Sequence, residues 1–554
     1  MHMSKQSIQL YRLRYLLLFI ITVMLWSCGS KEHDDLSGTF QFSGIEIGGV
    51  KNAESYVEID PNLHITLTFS EEINQSSIKD NITLQKISSG PIALTFSIQD
   101  KTVILQTTEK LDIFTAYQLI INTGLKSSTG NRIQMGKVFS ISTGIDNIDK
   151  FPRITDEELL TLVQKQTFRY FWDFGHPVSG MARERSSSGD IVTTGGTGFG
   201  IMAMIVAAER EFIDRRATVE RLLRIVRFLK NDANTYHGAF AHWINGTTGR
   251  TQPFSEKDNG ADLVETSFLF QGLLAARSYF TGEDPEEKEL RERITQLWES
   301  VEWNWFQRNE EVLYWHWSPD YGWEMNHKIK GWNESLITYV LAASSPTFPI
   351  DKSVYDNGWA DQGSIRNNGF YYDFKLPLGS SYGGPLFFAH YSFLGLNPKN
   401  LKDQYADYWQ QNVHHTKINH AYCHENPSNY LGYSEVCWGL TASDGNTGYS
   451  AHSPTNDKGV IAPTAALSSM PYTPDESMDA LHFFYYKMGD KLWKEHGFMD
   501  AFNLNAGWYA NDFLAIDQGP IIVMIENHRT ELLWNLFMDI PEIQTGLTRL
   551  GFTF

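Results

Sequence analysis

The chain predicts two folds in series, an all-β sandwich followed by an all-α toroid of paired helices. Three observations carry this. Between about residues 39 and 148 apolar residues recur with a period near two, and beyond 154 the period becomes helical. A length of 554 residues exceeds what one core holds. After 154 no stretch repeats as a buried apolar strand, which argues against a parallel α/β sheet.

Taken in order, Lys5, Arg12 and Arg14 precede an apolar run from Tyr15 to Trp26, then Ser27 and Cys28. This reads as a signal peptide, too short to span a bilayer comfortably. The junction resembles a bacterial lipoprotein cleavage site. That resemblance makes 1–27 the signal, Cys28 the lipidated first residue of the mature chain, and 28–38 a charged tether. The expected location is the periplasm or the outer-membrane surface, with the membrane touched through the lipid anchor only.

In 39–148 the alternating runs are Ile65–Phe69, Ile82–Leu84, Leu94–Ile98, Thr102–Leu105 and Tyr117–Ile121. Turn residues separate them, as in a β-sandwich. Phe69-Ser70-Glu71, Leu111–Tyr117 and Gly124–Asn131 resemble bacterial Ig-like domains. No catalytic cluster falls here, so a spacer or docking role is expected. Ile145–Arg153 reads as a linker.

Composition narrows the function. The net charge is −19, which argues against nucleic acid as a partner. The chain carries 16 Trp and 25 Tyr among 14% aromatics, more than a core of this size calls for. Aromatic faces stack on the C–H faces of sugar rings, and carboxylates bind hydroxyls or move protons. No cofactor or metal is expected. The histidines at 414, 415, 420 and 424 have no clean ligand spacing with acidic partners. Cys423 and Cys437 are either free thiols or a disulfide, depending on the compartment.

The second domain, 154–554, opens with an acidic first turn at Asp156-Glu157-Glu158. Further helical patterns run at 199–212, 217–229, 261–280, 287–306, 334–343, 401–409, 478–487 and 521–537, with long loops between them. Gly180–Arg185 and Gly195–Gly200 lack a preceding strand and a Gly-Lys-Ser/Thr, so they are packing glycines rather than a phosphate loop. Asp258 reads as a helix cap, with Asp262 and Glu265 following on one face, a carboxylate row for a cleft. Asn333 reads as another cap, with Trp332 as a stacking residue. Glu334 then falls in a first turn, where the helix dipole lowers a carboxyl pKa. It can serve as a general acid only if burial outweighs the dipole. Between Trp438 and Pro520, turns and helix starts carry Asp444, Tyr449, Asp457, Trp508, Asp512 and Asp517, with Glu526 and Asn527 soon after.

The helical domain resembles the glycoamylase-like family, whose characterised members are β-1,2-glucan hydrolases of glycoside hydrolase family 144. The resemblance rests on Phe168–Asp173, Gly195–Gly200, Trp332–Ser335, Leu440–Gly445, Ile461–Ala466, Gly497–Asn503, Asp517–Pro520 and Met524–Thr530. It implies an (α/α)6 toroid that cleaves β-1,2-linked glucan with inversion, either endo or exo with release of sophorose. It also implies Glu334 as general acid, Asp517 as base, and Asp258, Asp262 and Glu265 as further acids of the cleft. Trp332, Asp444 and Tyr449 are read toward substrate from their own places in the turns, with Asp444 a reserve catalytic acid. The stretch from Tyr405 to Cys423 departs from the family. A non-catalytic surface glycan-binding lipoprotein is the alternative.

Overall fold

The computed structural model describes residues 39–554, apart from 88 and 147. The signal, Cys28 and the whole tether to residue 38 lie outside the described residues. No helix among the described residues is long and apolar enough to cross a membrane. The chain divides into two compact units, the second holding Ser142–Phe554 and the first most of the described residues before it.

The first unit has ten strands: β1 Phe42–Ile47, β2 Val50–Lys51, β3 Ser55–Ile59, β4 His64–Phe69, β5 Ile82–Lys86, β6 Gly90–Ile92, β7 Leu94–Gln99, β8 Thr102–Thr107, β9 Ala116–Ile121 and β10 Lys137–Thr143. They form two sheets, in the orders β2-β1-β4-β8-β7 and β3-β10-β9-β5-β6. Register sets one face inward: Ile65 pairs with Leu105 and Leu67 with Val103, all four buried. In the other sheet, Leu84 pairs with Leu119 and Ile82 with Ile121. The alternating runs locate β4, β5, β7, β8 and β9. Their patterning misses β1, where Gly44 sits beside a register shift, and β3 and β10, which mix exposed and buried apolar residues.

The second unit is helical: α1 Asp156–Trp172, α2 Thr194–Glu209, α3 Arg215–Asn231, α4 Leu263–Tyr279, α5 Pro285–Glu299, α6 Leu336–Ser344, α7 Tyr408–Glu425, α8 Pro474–His482, α9 Ala515–Thr530, α10 Leu532–Met538 and α11 Pro541–Leu550. Two kinds alternate along the chain. α2, α4, α6 and α9 are buried nearly all round. α1, α3, α5 and α11 bury one stripe and offer charge on the other. α1 starts at a capping box in which Thr155 and Glu158 satisfy each other's backbone N–H groups. α2 packs closely on α4, and two glycines permit this. A Cβ on Gly198 would stand 2.1 Å from the carbonyl oxygen of Phe268, and one on Gly272 2.1 Å from that of Gly198.

Several boundaries differ from the sequence reading. A short strand, Ile191–Thr193, does precede the Gly195–Gly200 stretch, pairing antiparallel with Trp243–Asn245. Its glycines lie inside α2. The divergent stretch 405–423 is mostly helix α7, whereas 401–407 is irregular. Mixed polar and apolar residues around α7 hide its period. His414, His415 and His420 on α7 each bond a backbone carbonyl. The linker is not slack: Phe151 stacks on Tyr485 with ring centroids 4.6 Å apart, and Arg153 lies over Tyr486. Cys423 and Cys437 are buried free thiols, not a disulfide.

Candidate active site

The loops that begin α2, α4, α6 and α9 surround a cleft of about 560 Å³. Its lining combines carboxylates, histidines and aromatic rings, among them Asp258, Asp262, Glu265, Glu334, His242 and His316. Phe254, Trp243, Trp315, Phe387 and Tyr449 supply flat apolar faces. Phe254 and Tyr449 are about half exposed, and Phe254 stacks on His242 at 4.4 Å.

The first carboxylate group is gathered at the start of α4. Asp262, not Asp258, is the cap, and its Oδ1 accepts the N–H groups of Val264 and Glu265 at 3.0 and 2.9 Å. Asp258 belongs to the preceding loop, so the three acids do not share a helix face. They converge anyway, because two histidines stand among them. His316 Nδ1 is 3.5 Å from Asp258 and 3.7 Å from Asp262, and His242 Nδ1 is 3.4 Å from Asp262 Oδ2. These spacings bring charges together without closing good hydrogen bonds, and Asp262 Oδ2 and His316 Nδ1 are otherwise unpartnered. Burial opposes the charge on His242, but Glu265 and Asp262 outweigh it and push its pKa up to about 9. Burial opposes the charge on His316 too, and Asp258 and Asp262 outweigh it and raise its pKa. Ligand atoms of His242, Asp258 and Asp262 lie within 4.8 Å of one another, close enough to hold an ion. A protonated His242 already places a positive charge there.

Glu265 depends on a glycine. Its Oε2 accepts the Gly195 N–H at 2.7 Å, and a Cβ at 195 would stand 2.5 Å from that oxygen. Burial raises the Glu265 carboxyl, with the charge of His242 opposing.

Glu334 lies in the turn before α6. Asn333 Oδ1 accepts the Ser335 N–H at 2.9 Å, so Asn333 shapes that turn while Ser335 occupies the cap position. Glu334 is therefore outside the first turn, and the Ser392 hydroxyl donates to its backbone carbonyl. Burial, reinforced by the charges of Glu265 and Asp262, pushes its carboxyl up to about 7. Trp332 faces elsewhere. It is 6% exposed, packed near Phe393, Tyr408 and His415, and is a core residue rather than a stacking surface.

On the other wall, Arg185 Nη1 donates to both Asp444 oxygens at 3.1 Å, while its Nε holds Glu184. Asp517 sits in the first turn of α9, which starts at Ala515 and carries Pro520 within it, not in the loop before Ile521. Asp517 is 2% exposed and lies behind Tyr391, whose hydroxyl donates to its Oδ1 at 3.5 Å. Beside it is Asp500, equally buried, whose Oδ2 accepts the Asp444 N–H at 2.7 Å. Burial and then the Asp444 charge raise Asp500, with its hydrogen bond to Asp517 opposing, whereas burial and then Asp500, by charge and hydrogen bond, raise Asp517.

Sequence reasoning did not single out His242, His316, Tyr391 or Asp500. Each meets its partners across long separations, and only Asp500 falls inside a quoted motif, Gly497–Asn503. Other acids of the central stretch hold structure. Asp512 accepts from Ser186 and Ser187, Asp457 from Tyr422 and Tyr433, and Glu526 pairs with Arg210. Asn527 joins α9 to α10 through the Leu533 and Trp534 N–H groups. Trp508 packs on Val460, Ala462 and Ala501.

Comparison with known proteins follows this architecture. The Glycoamylase profile, described as "Putative glucoamylase", matches 326–541, and that of a bacterial Ig-like domain matches 47–143. An endo-β-1,2-glucanase from Chitinophaga pinensis, solved with sophorotriose and glucose, is 50% identical over 73% of this chain and 99% of its own, with TM-score 0.71. A β-1,2-glucanase from Parabacteroides distasonis is 39% identical over 93% of this chain and 74% of its own, with TM-score 0.70. An exo β-1,2-glucooligosaccharide sophorohydrolase from the same species is 49% identical over 420 residues; the match spans 72% of this chain but only 58% of that relative. Being 50% identical along nearly the whole of a solved relative, this chain belongs to the glycoamylase-like family, with a bacterial Ig-like domain ahead of the helical one.

Proposed function

We propose that the chain is an inverting glycoside hydrolase of β-1,2-glucan, with Glu334 as general acid and Asp517 as general base. The carrying observation is Glu334. Its carboxyl lines an aromatic and acidic cleft, and burial raises it to about 7, so it keeps a proton to give near neutral pH. In the reaction Glu334 protonates the glycosidic oxygen as the bond from that oxygen to the anomeric carbon breaks. Water attacks that carbon from the opposite face. The water's proton passes to the Tyr391 oxygen while Tyr391 passes its own to Asp517. A relay of this kind suits a base that stands behind a tyrosine. Asp258 and Asp262, with protonated His242 between Asp262 and Glu265, offer donors and acceptors for sugar hydroxyls.

The same proposal covers three wider features. The alternation of fully buried and one-sided helices supports an (α/α)6 toroid. The Ig-like unit acts as a spacer or docking module, and Cys28 holds the chain by its lipid in the periplasm or at the outer-membrane surface. Substrate mode is open between endo and exo, since near-equal identity links the chain to a relative of each kind. The test is product analysis on linear β-1,2-glucan. Mixed oligosaccharides mean endo cleavage, and sophorose alone from the start means exo. Glu334→Gln and Asp517→Asn should each slow product formation by roughly 10²-fold or more. Binding without any product from the wild type would sink the enzyme reading.

A further inference from the structure

Two carboxyls stand together behind Tyr391. Asp500 and Asp517 are each 2% exposed and lie within hydrogen-bonding reach of one another. Two of their four oxygens have donors. Asp500 Oδ2 accepts the Asp444 N–H at 2.7 Å, and Asp517 Oδ1 accepts the Tyr391 hydroxyl at 3.5 Å. The other two, Asp500 Oδ1 and Asp517 Oδ2, are buried and have no donor. Native structures rarely leave such atoms unsatisfied, and two bare carboxylates repel strongly where water is excluded. One proton resolves both problems. Held by either oxygen, it makes the other its acceptor, and the pair keeps a single negative charge.

We propose that Asp500 and Asp517 share one proton between Asp500 Oδ1 and Asp517 Oδ2, and that Asp500 is the positioning residue that lets Asp517 work as a base from a buried site. The inference rests on the reading of Asp517 as the base. With one proton already in the pair, the charge that remains is available at Asp517 Oδ1, the oxygen that faces Tyr391. During the reaction the pair gains a second proton through Tyr391 and becomes neutral. The groups that face it are Asp444 and Arg185 on one side, and Tyr391, Tyr449 and, beyond Tyr391, Glu334 on the other. The Asp444 charge favours keeping the shared proton, and Arg185, bonded to Asp444, offsets part of that field.

Infrared difference spectroscopy of the substrate-free protein at pH 8 tests the pair directly. The spectra are taken in a Glu334→Gln background, so that this carboxyl cannot contribute. The carbonyl stretch of a protonated carboxyl should be present, and lost in both Asp500→Asn and Asp517→Asn. In a wild-type Glu334 background, Asp500→Asn should lower kcat about tenfold or more with KM unchanged. The acid limb of its pH profile should move upward, because an amide donates to Asp517 less strongly than a carboxylic acid and leaves a carboxylate that protonates more easily. Asp500→Ala should fall further, having no donor at all. Absence of the band, or an unchanged pH profile in Asp500→Asn, overturns the shared proton. A band that behaves as expected in a protein that does not cleave β-1,2-glucan upholds the pair and overturns the hydrolase reading instead.

Discussion

Glu334 and His242 titrate in opposite service of the same cleft. A general acid works only while protonated, so kcat/KM should decline as pH rises through about 7, the value to which burial brings Glu334. Rates across pH 5–9 check this, and Glu334→Gln should lose roughly 10²–10⁴-fold in kcat below about pH 7, with the gap narrowing as pH rises and the wild-type carboxyl ionises. His242 governs stability. Its folded pKa of about 9 lies above the ordinary 6.5. Its proton therefore stabilises the fold fully below pH 6.5, and that contribution is lost as pH climbs to about 9. Urea midpoints at pH 6 and 9.5 should differ in the wild type and differ less in His242→Gln. At this scale the gathering of Asp258, Asp262, Glu265 and Glu334 at one cleft was legible, because these carboxylates fall in short recognisable runs. The histidines that charge-balance them were not, since His242 and His316 reach Asp262 from segments 20 and 54 positions away, a closeness no spacing encodes.

Among the elements, helix starts position most of the chemistry. α4 begins one residue after Asp262, α6 two after Glu334 and α9 two before Asp517. Sequence patterns found these helices but misplaced their first turns, which changes the local electrostatics. Glu334 escapes the dipole of α6 that the sequence reading set against it. Close helix packing should be intolerant of even one methyl group. Gly198→Ala would press a Cβ on the Phe268 carbonyl and should cost about 1–3 kcal/mol, read as a lower thermal midpoint. Gly195→Ala pushes instead on the Glu265 carboxylate, so its larger effect should be on KM. Removing the cap of α1 with Thr155→Ala should cost about 1 kcal/mol, read by the same melt.

At the scale of the molecule, the two compact units suggest a division of labour. A chain that starts at Ser142 should retain the kcat of the full-length protein on β-1,2-glucan if the Ig-like unit is a spacer. One that starts at Ile154 should melt lower, because it loses the stacking of Phe151 on Tyr485 and the Arg153 contact with Tyr486. The sequence by itself determined the order of an alternating β region and a helical region, the acidic and aromatic character of the site, and the family. Those follow from local periodicity, composition and short motifs, which the chain carries whatever its partners. The tertiary structure alone decided that Trp332 belongs to the core, that Glu334 sits half-buried outside the first turn of α6, and that Asp500 stands against Asp517. Each of these depends on which residues are brought within a few ångströms after the chain folds, and burial and neighbouring charge, not residue type, set what a carboxyl there can do.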